Sequence, residues 1–235
     1  MSDHQSFQRF AALAAIISFP LALVSIVLSS MATDFNMKAS TNLAFWLSWL
    51  SIGVDGARLL RWGLILDMLS YYLPLLPVAL FLWRWLRPRN PDWVLFYTSC
   101  GLGYILIGSI GAAILAAVHP PLINAYAQAS VEQRPVLETV FSAVWNMVYG
   151  GMWNILGELL AGIWFVGVGL LLRGERRIFS IVTMILGISA LLDSLGMILN
   201  FEGLALLGLS IYVVLAPIWA LWLGIDLLRK PVQVD

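Results

Sequence analysis

Six long apolar runs, divided by short polar punctuation, make up most of the chain. They cover residues 10–29, 59–83, 93–118, 152–172, 178–199 and 204–228. About 20 apolar residues in a helix span the hydrocarbon core of a bilayer, so each run is predicted to be a membrane-spanning helix. The first is nearer a full span than a secretory signal and is expected to be retained. Pro20 in its middle predicts a kink and not a break.

Two polar intervals are longer than turns. In the first, LAFWLSWLSIG carries Trp46 and Trp49 and is too short to span, so it reads as an interfacial piece. In the second, His119-Pro120-Pro121 is expected to end the third helix. Ser130 and Gln133 form a capping-box pattern that opens a new one. Apolar residues at 136, 137, 140, 141, 144, 145 and 148 then form one stripe of an amphipathic helix. A straight helix from 131 to 172 would measure about 63 Å, twice the hydrocarbon thickness. Gly150-Gly151 is the expected joint. The fold class is therefore all-α: a polytopic six-helix membrane bundle with amphipathic outer-loop helices, in one domain over 1–235.

Composition agrees with the pattern. Hydrophobic residues make up 61% of the chain and charged residues 11%, against about 25% charged in ordinary soluble domains. Net charge is zero, which points to no nucleic-acid partner. The single cysteine, Cys100, excludes an internal disulfide and a cysteine-built metal site. Eleven tryptophans are expected to supply aromatic belts at the two membrane faces.

Charge also orients the bundle. One side receives Arg9, Arg84, Arg87, Arg89, Arg173, Arg176, Arg177, Arg229 and Lys230; the other receives Lys38, Arg58, Arg61 and Arg134. The positive-inside rule then predicts a cell (inner) membrane protein with both termini cytoplasmic.

Candidate chemistry lies inside the runs. Asp67 stands 17 residues before Arg84, Glu158 15 before Arg173 and Asp193 16 beyond Arg177. At the helical rise these offsets are about 25, 22 and 24 Å, so three carboxyls share one level in the outer half of the bilayer. Tyr104 and Tyr212 reach a similar level, and Asn154 is one turn further out. Asn154 and Glu158 are i,i+4 neighbours on a stripe with Gly151 and Gly162. Together with Trp153 and Asn200 these residues are expected to line one outward-facing polar pocket. Ionisable residues at such depth face a bundle interior or a cavity. His4 and His119 read as exposed loop residues, and no metal site is predicted. No cofactor signature is present: GxSxG, HExxH, Walker A and GxGxxG are all lacking.

Gly151-Met-Trp-Asn-Ile-Leu-Gly-Glu158, the run from Trp164 to Leu172 into arginines, and Pro217-Ile-Trp-Ala-Leu-Trp-Leu resemble a bacterial family of uncharacterised six-helix membrane proteins, known only as a domain of unknown function. The resemblance covers about residues 60–230 and implies a fold and no activity. Membrane-embedded terpene cyclases, which also place carboxylates among helices but use more spans, are a weaker resemblance.

Three functional readings stay open. The pocket takes a small amphiphilic molecule or a cation; or a buried carboxylic acid serves an intramembrane enzyme acting on a lipid or isoprenoid; or the protein is a structural subunit of a homo- or hetero-oligomer. For the last, the partner face is segment 3, where Gly108, Ala112, Ala116 and Ser109, Ala113, Ala117 form small-residue rows.

Overall fold

The computed structural model describes residues 3–34 and 43–229, all-helical with no strand among them. The elements are α1 (Asp3–Ala32), α2 (Leu43–Leu47) with a 3₁₀ turn (Ser48–Ser51), α3 (Gly53–Asp67), a π turn (Met68–Tyr72) and α4 (Leu75–Leu86). They continue with α5 (Pro91–Gln128), α6 (Arg134–Trp145), a π-helical stretch (Asn146–Gly157), α7 (Glu158–Leu172), α8 (Arg177–Ile198) and α9 (Glu202–Arg229). Among the described residues six helical stretches are long and apolar enough to cross a membrane, and the protein is a multi-pass membrane protein. Lys38 and Lys230, counted in the charge asymmetry, lie outside the described residues.

Lipid tails provide no hydrophobic drive between helices, so close packing must do that work. Small residues supply it here. A Cβ on Gly162 or Gly187 would strike the other's carbonyl oxygen, so α7 and α8 touch backbone to backbone. Gly196 and Gly208 do the same between α8 and α9, and Gly224 meets Ala12 where α9 lies on α1. Gln8 Nε2 donates to the Leu227 carbonyl at 2.7 Å, which brings the two ends of the described chain to one end of the bundle. Arginines finish that end: Arg176 pairs with Asp226, Arg89 pairs with Glu175, and both guanidiniums lie over the Trp85 ring.

Prolines shape the second span. Pro74 has no N–H for the Ser70 carbonyl, and Ser18 Oγ donates to that carbonyl at 2.6 Å instead. The Tyr71 carbonyl accepts from the Tyr104 hydroxyl at 3.2 Å. The π turn is thus tied to α1 and α5 through the carbonyls its winding leaves available.

Five sequence expectations change. His119-Pro120-Pro121 does not end the third helix, because α5 runs on to Gln128. His119 is 0% exposed, stacked on Phe141 and Trp145, and this packing offsets the two N–H groups the prolines lack. His4 falls in the first turn of α1. Ser130 opens a turn and not the helix: its N–H donates to Gln133 Oε1, and α6 begins at Arg134. Gly150-Gly151 is no joint. The helix passes through it as a π stretch, so α6 through α7 form one 39-residue rod. Finally, six of the eleven tryptophans (Trp46, Trp49, Trp85, Trp145, Trp164 and Trp219) are buried in helix contacts and do not form belts.

Candidate functional site

The site grows out of the divergence of α1 from α9. At the arginine end the two helices are in contact from Gln8 to Ile16. Beyond Ser18 and Pro20, α1 turns its small polar residues to the second span instead. Ser25 Oγ donates to the Gly63 carbonyl at 2.8 Å, and a Cβ on Gly63 would collide with Ser29. A wedge of about 450 Å³ is left between α1, α3, the π turn, the π stretch and α9.

One wall comes from the π stretch. In a π helix the backbone bonds join residues five apart, so side chains four and five apart share a face. That winding brings Trp145, Tyr149, Trp153, Asn154 and Glu158 together on the cavity. It also removes Gly151 from the stripe expected of an α-helix, and Gly151 is exposed. Where the winding returns to α at Glu158, a Cβ on Gly157 would press on the Met152 carbonyl, so the transition needs glycine. Single π turns inside helices recur at functional sites.

The opposite wall is α3 and its π turn, with Leu60, Leu64, Asp67, Tyr71 and Tyr72. The interfacial piece closes the end. Trp46 and Trp49 are buried against Trp145, with Trp46 and Trp145 ring centroids 4.1 Å apart, and Tyr149 stacks on Trp145 at 4.7 Å. Those rings also line the cavity. On the last side, Ser210 and Val214 of α9 are exposed and face the same space as Ile26 of α1. The exposed lining residues, Ser210 and Val214, therefore lie on the α9 side of the cavity.

Of the residues singled out from sequence, Asp67, Trp153, Asn154, Glu158 and Tyr212 line this cavity. Glu158 is 7% exposed, and its Oε2 has no hydrogen-bond partner in the protein. Asp193 is 0% exposed and is not a lining residue. It is buried on α8, which packs against α7 and the π stretch, and neither of its oxygens has a hydrogen-bond partner in the protein. Tyr104 is buried beneath the cavity. It accepts from the Tyr212 hydroxyl at 2.6 Å while donating to the Tyr71 carbonyl, and Tyr71 in turn donates to the Val213 carbonyl at 3.1 Å. This relay joins α5, α9 and the π turn into a floor.

Asn200 is elsewhere. It sits in the turn after α8 with φ at +51°, exposed, as the left-handed residue of a Schellman cap: Phe201 N–H reaches the Gly196 carbonyl and Asn200 N–H the Met197 carbonyl. Asparagine tolerates that backbone, which accounts for its presence there. Sequence reasoning missed Trp46, Trp49, Trp145, Tyr149, Tyr71 and Tyr72 as lining residues. The four-residue spacing of Trp145, Tyr149 and Trp153 was the available signal.

Among the described residues no three His, Cys, Asp or Glu groups come together as metal ligands. The two lining carboxyls and the Asn154 amide instead form a polar patch in an aromatic and aliphatic cavity. A family model described as Domain of unknown function (DUF4386) matches residues 10–230. No curated protein and no solved structure matches the chain.

Proposed function

The chain belongs to the DUF4386 family, and from the geometry of its wedge we propose that it binds a small amphiphilic molecule there, as a carrier or receptor of that molecule. The observation that carries this reading is the composition of one cavity. Its volume of about 450 Å³ is in the range of small-molecule pockets, which are mostly apolar with a few convergent polar groups. Asp67, Asn154 and Glu158 are those groups, and the rings and valines are the apolar surface. The exposed α9 side suits a molecule whose tail stays in the bilayer while its head reaches the carboxyls. The cation reading has less support, since the lining around Asp67, Asn154 and Glu158 is mainly aromatic and aliphatic, which a hard cation does not require.

The basic residues support an orientation. In this proposal the termini are cytoplasmic, the membrane is the inner one, and the tryptophan-capped half of the bundle holds the cavity in the outer leaflet.

The test is retention of a ligand. Protein purified in a neutral detergent should release a small molecule on denaturation, identified by mass spectrometry of the organic extract. Changing Ile26 and Val214 together to Phe narrows the cavity from its α1 and α9 sides. Occupancy should fall in that variant while the unfolding temperature holds. Wild-type protein that releases nothing, or equal retention by both proteins, overturns the proposal.

A further inference from the structure

We infer that the head group recognised in the wedge is an alkylammonium, held between the carboxyls of Asp67 and Glu158 and the surrounding aromatic rings; this rests on the amphiphile reading above. Three independent observations lead to it.

The first is charge. Among the described residues, those that line the cavity include two carboxyls and no lysine, arginine or histidine. Asp193, a further acidic group, is buried on α8, which packs against α7, the helix that Glu158 opens. The nearby basic residues are committed or turned away: Arg58 lies against Asp55, Arg61 is exposed on α3, and Arg89 and Arg176 pair at the other end of the bundle. An anionic head would meet only like charge.

The second is an unfilled bonding capacity. Glu158 is more than nine-tenths buried, lines the cavity, and has an oxygen without a protein partner. A buried ionised carboxylate is costly unless it is paired. An ammonium brought by the ligand supplies both the counter-charge and, if it carries hydrogens, the missing donor.

The third is the walls. Tyr71, Tyr72, Trp145, Tyr149 and Trp153 put π faces around the same space. Aromatic faces attract cations, most strongly where water is excluded, and cages of such rings recognise substituted ammonium groups. Apolar burial alone would not require carboxyls among the rings, and a metal site would not require the rings.

The experiment uses full-length protein in nanodiscs of zwitterionic lipid. Tryptophan fluorescence is followed on titration with octyltrimethylammonium, octylamine, octanol and octyl sulfate, with empty discs subtracted. Trp46, Trp49, Trp145 and Trp153 line the cavity, so occupancy should be visible. Both ammonium compounds should saturate, and Glu158→Gln and Asp67→Asn should each weaken them roughly tenfold or more. Glu138→Gln, which lies outside the cavity, serves as the control. Glu158→Gln keeps the shape of the side chain; its far-ultraviolet circular dichroism and unfolding temperature show whether it folds. If octanol or octyl sulfate binds as tightly as the ammonium compounds, or if both carboxyl variants bind them unchanged, the ammonium assignment fails and the amphiphile reading survives. If no octyl compound binds at all, both fail. If added Na⁺ or Mg²⁺ displaces octyltrimethylammonium at millimolar concentration in wild type and not in Glu158→Gln, the site is a cation site and the assignment fails.

Discussion

Gly108 shows how much one missing methyl can decide. It belongs to the small-residue row Gly108, Ala112, Ala116, and a Cβ there would run into the Tyr72 ring. Tyr72 is a wall of the cavity, so the glycine fixes where that wall stands. Gly108→Ala should destabilise by about 1–3 kcal/mol, the usual cost of overpacking. Thermal unfolding in detergent would measure it. The parallel row is different, since Ala113 and Ala117 are exposed on α5. Ala113→Leu should leave the unfolding temperature of the monomer unchanged, and a large loss would mean that a partner covers this face. Both rows read in the sequence as packing faces, yet only the first is buried, since spacing alone cannot say which of two adjacent rows turns inward. Asp67 and Glu158 were legible because carboxyls are conspicuous in apolar runs. Asn200 was misplaced because its side chain was read by helical register. In fact the register ends one residue earlier, at a cap whose signal is the backbone preference of asparagine.

Elements owe their shape to bonds that proline and glycine leave open. Ser18 on α1 satisfies the Ser70 carbonyl that Pro74 cannot, and so holds the π turn against the first helix. Ser18→Ala should cost about 1 kcal/mol and loosen the Asp67 wall. Ser99→Ala is the comparison, since Ser99 Oγ bonds within its own helix at Leu95 and is exposed; it should cost nothing measurable. Hydrogen exchange at the amides of 68–76 should rise in the first variant only. Gly157→Ala tests the longer π stretch. Its Cβ would press on the Met152 carbonyl, so the stretch must rewind, and Trp153 and Glu158 should leave their shared face. Loss of ligand retention with the bundle still folded is the expected result. The six spans were legible from run length. The π windings were not, because apolar periodicity over a dozen residues hardly separates bonds to the fourth residue from bonds to the fifth. His119-Pro120-Pro121 misled for a related reason: local helix breaking is overruled when the helix is held by stacking on α6.

At the scale of the whole molecule, six spans among the described residues, an even number, predict both ends of the chain on one side of the membrane. Reporters fused at the N-terminus and after Asp235 should read the same side, and one inserted after Asp34 the other. An N- and C-terminal pair on opposite sides would remove one span from the bundle. Sequence charge and span count are the grounds for that expectation. The wedge required coordinates, since it depends on α1 changing partners half-way along its length.

That change of partner sets an order of events during synthesis. Gln8 and Leu227 are 219 residues apart, yet they are joined by a buried hydrogen bond. At a ribosomal rate of about 5–20 residues per second, α1 waits roughly 10–45 s for α9. The half beyond Ser18 need not wait, because Ser18 and Ser25 find the second span as soon as that span is made. The half at the arginine end already packs on α4, but its side with Ala12 and Ile16 lacks its partner until the last helix arrives. The cavity is therefore completed only with the last helix, and from the time the fourth span is made its carboxyl-bearing walls lie open to whatever the membrane contains. Any molecule that fits the wedge can be in place before α9 closes its side, so the first ligand can be enclosed during synthesis and need not find its way in later.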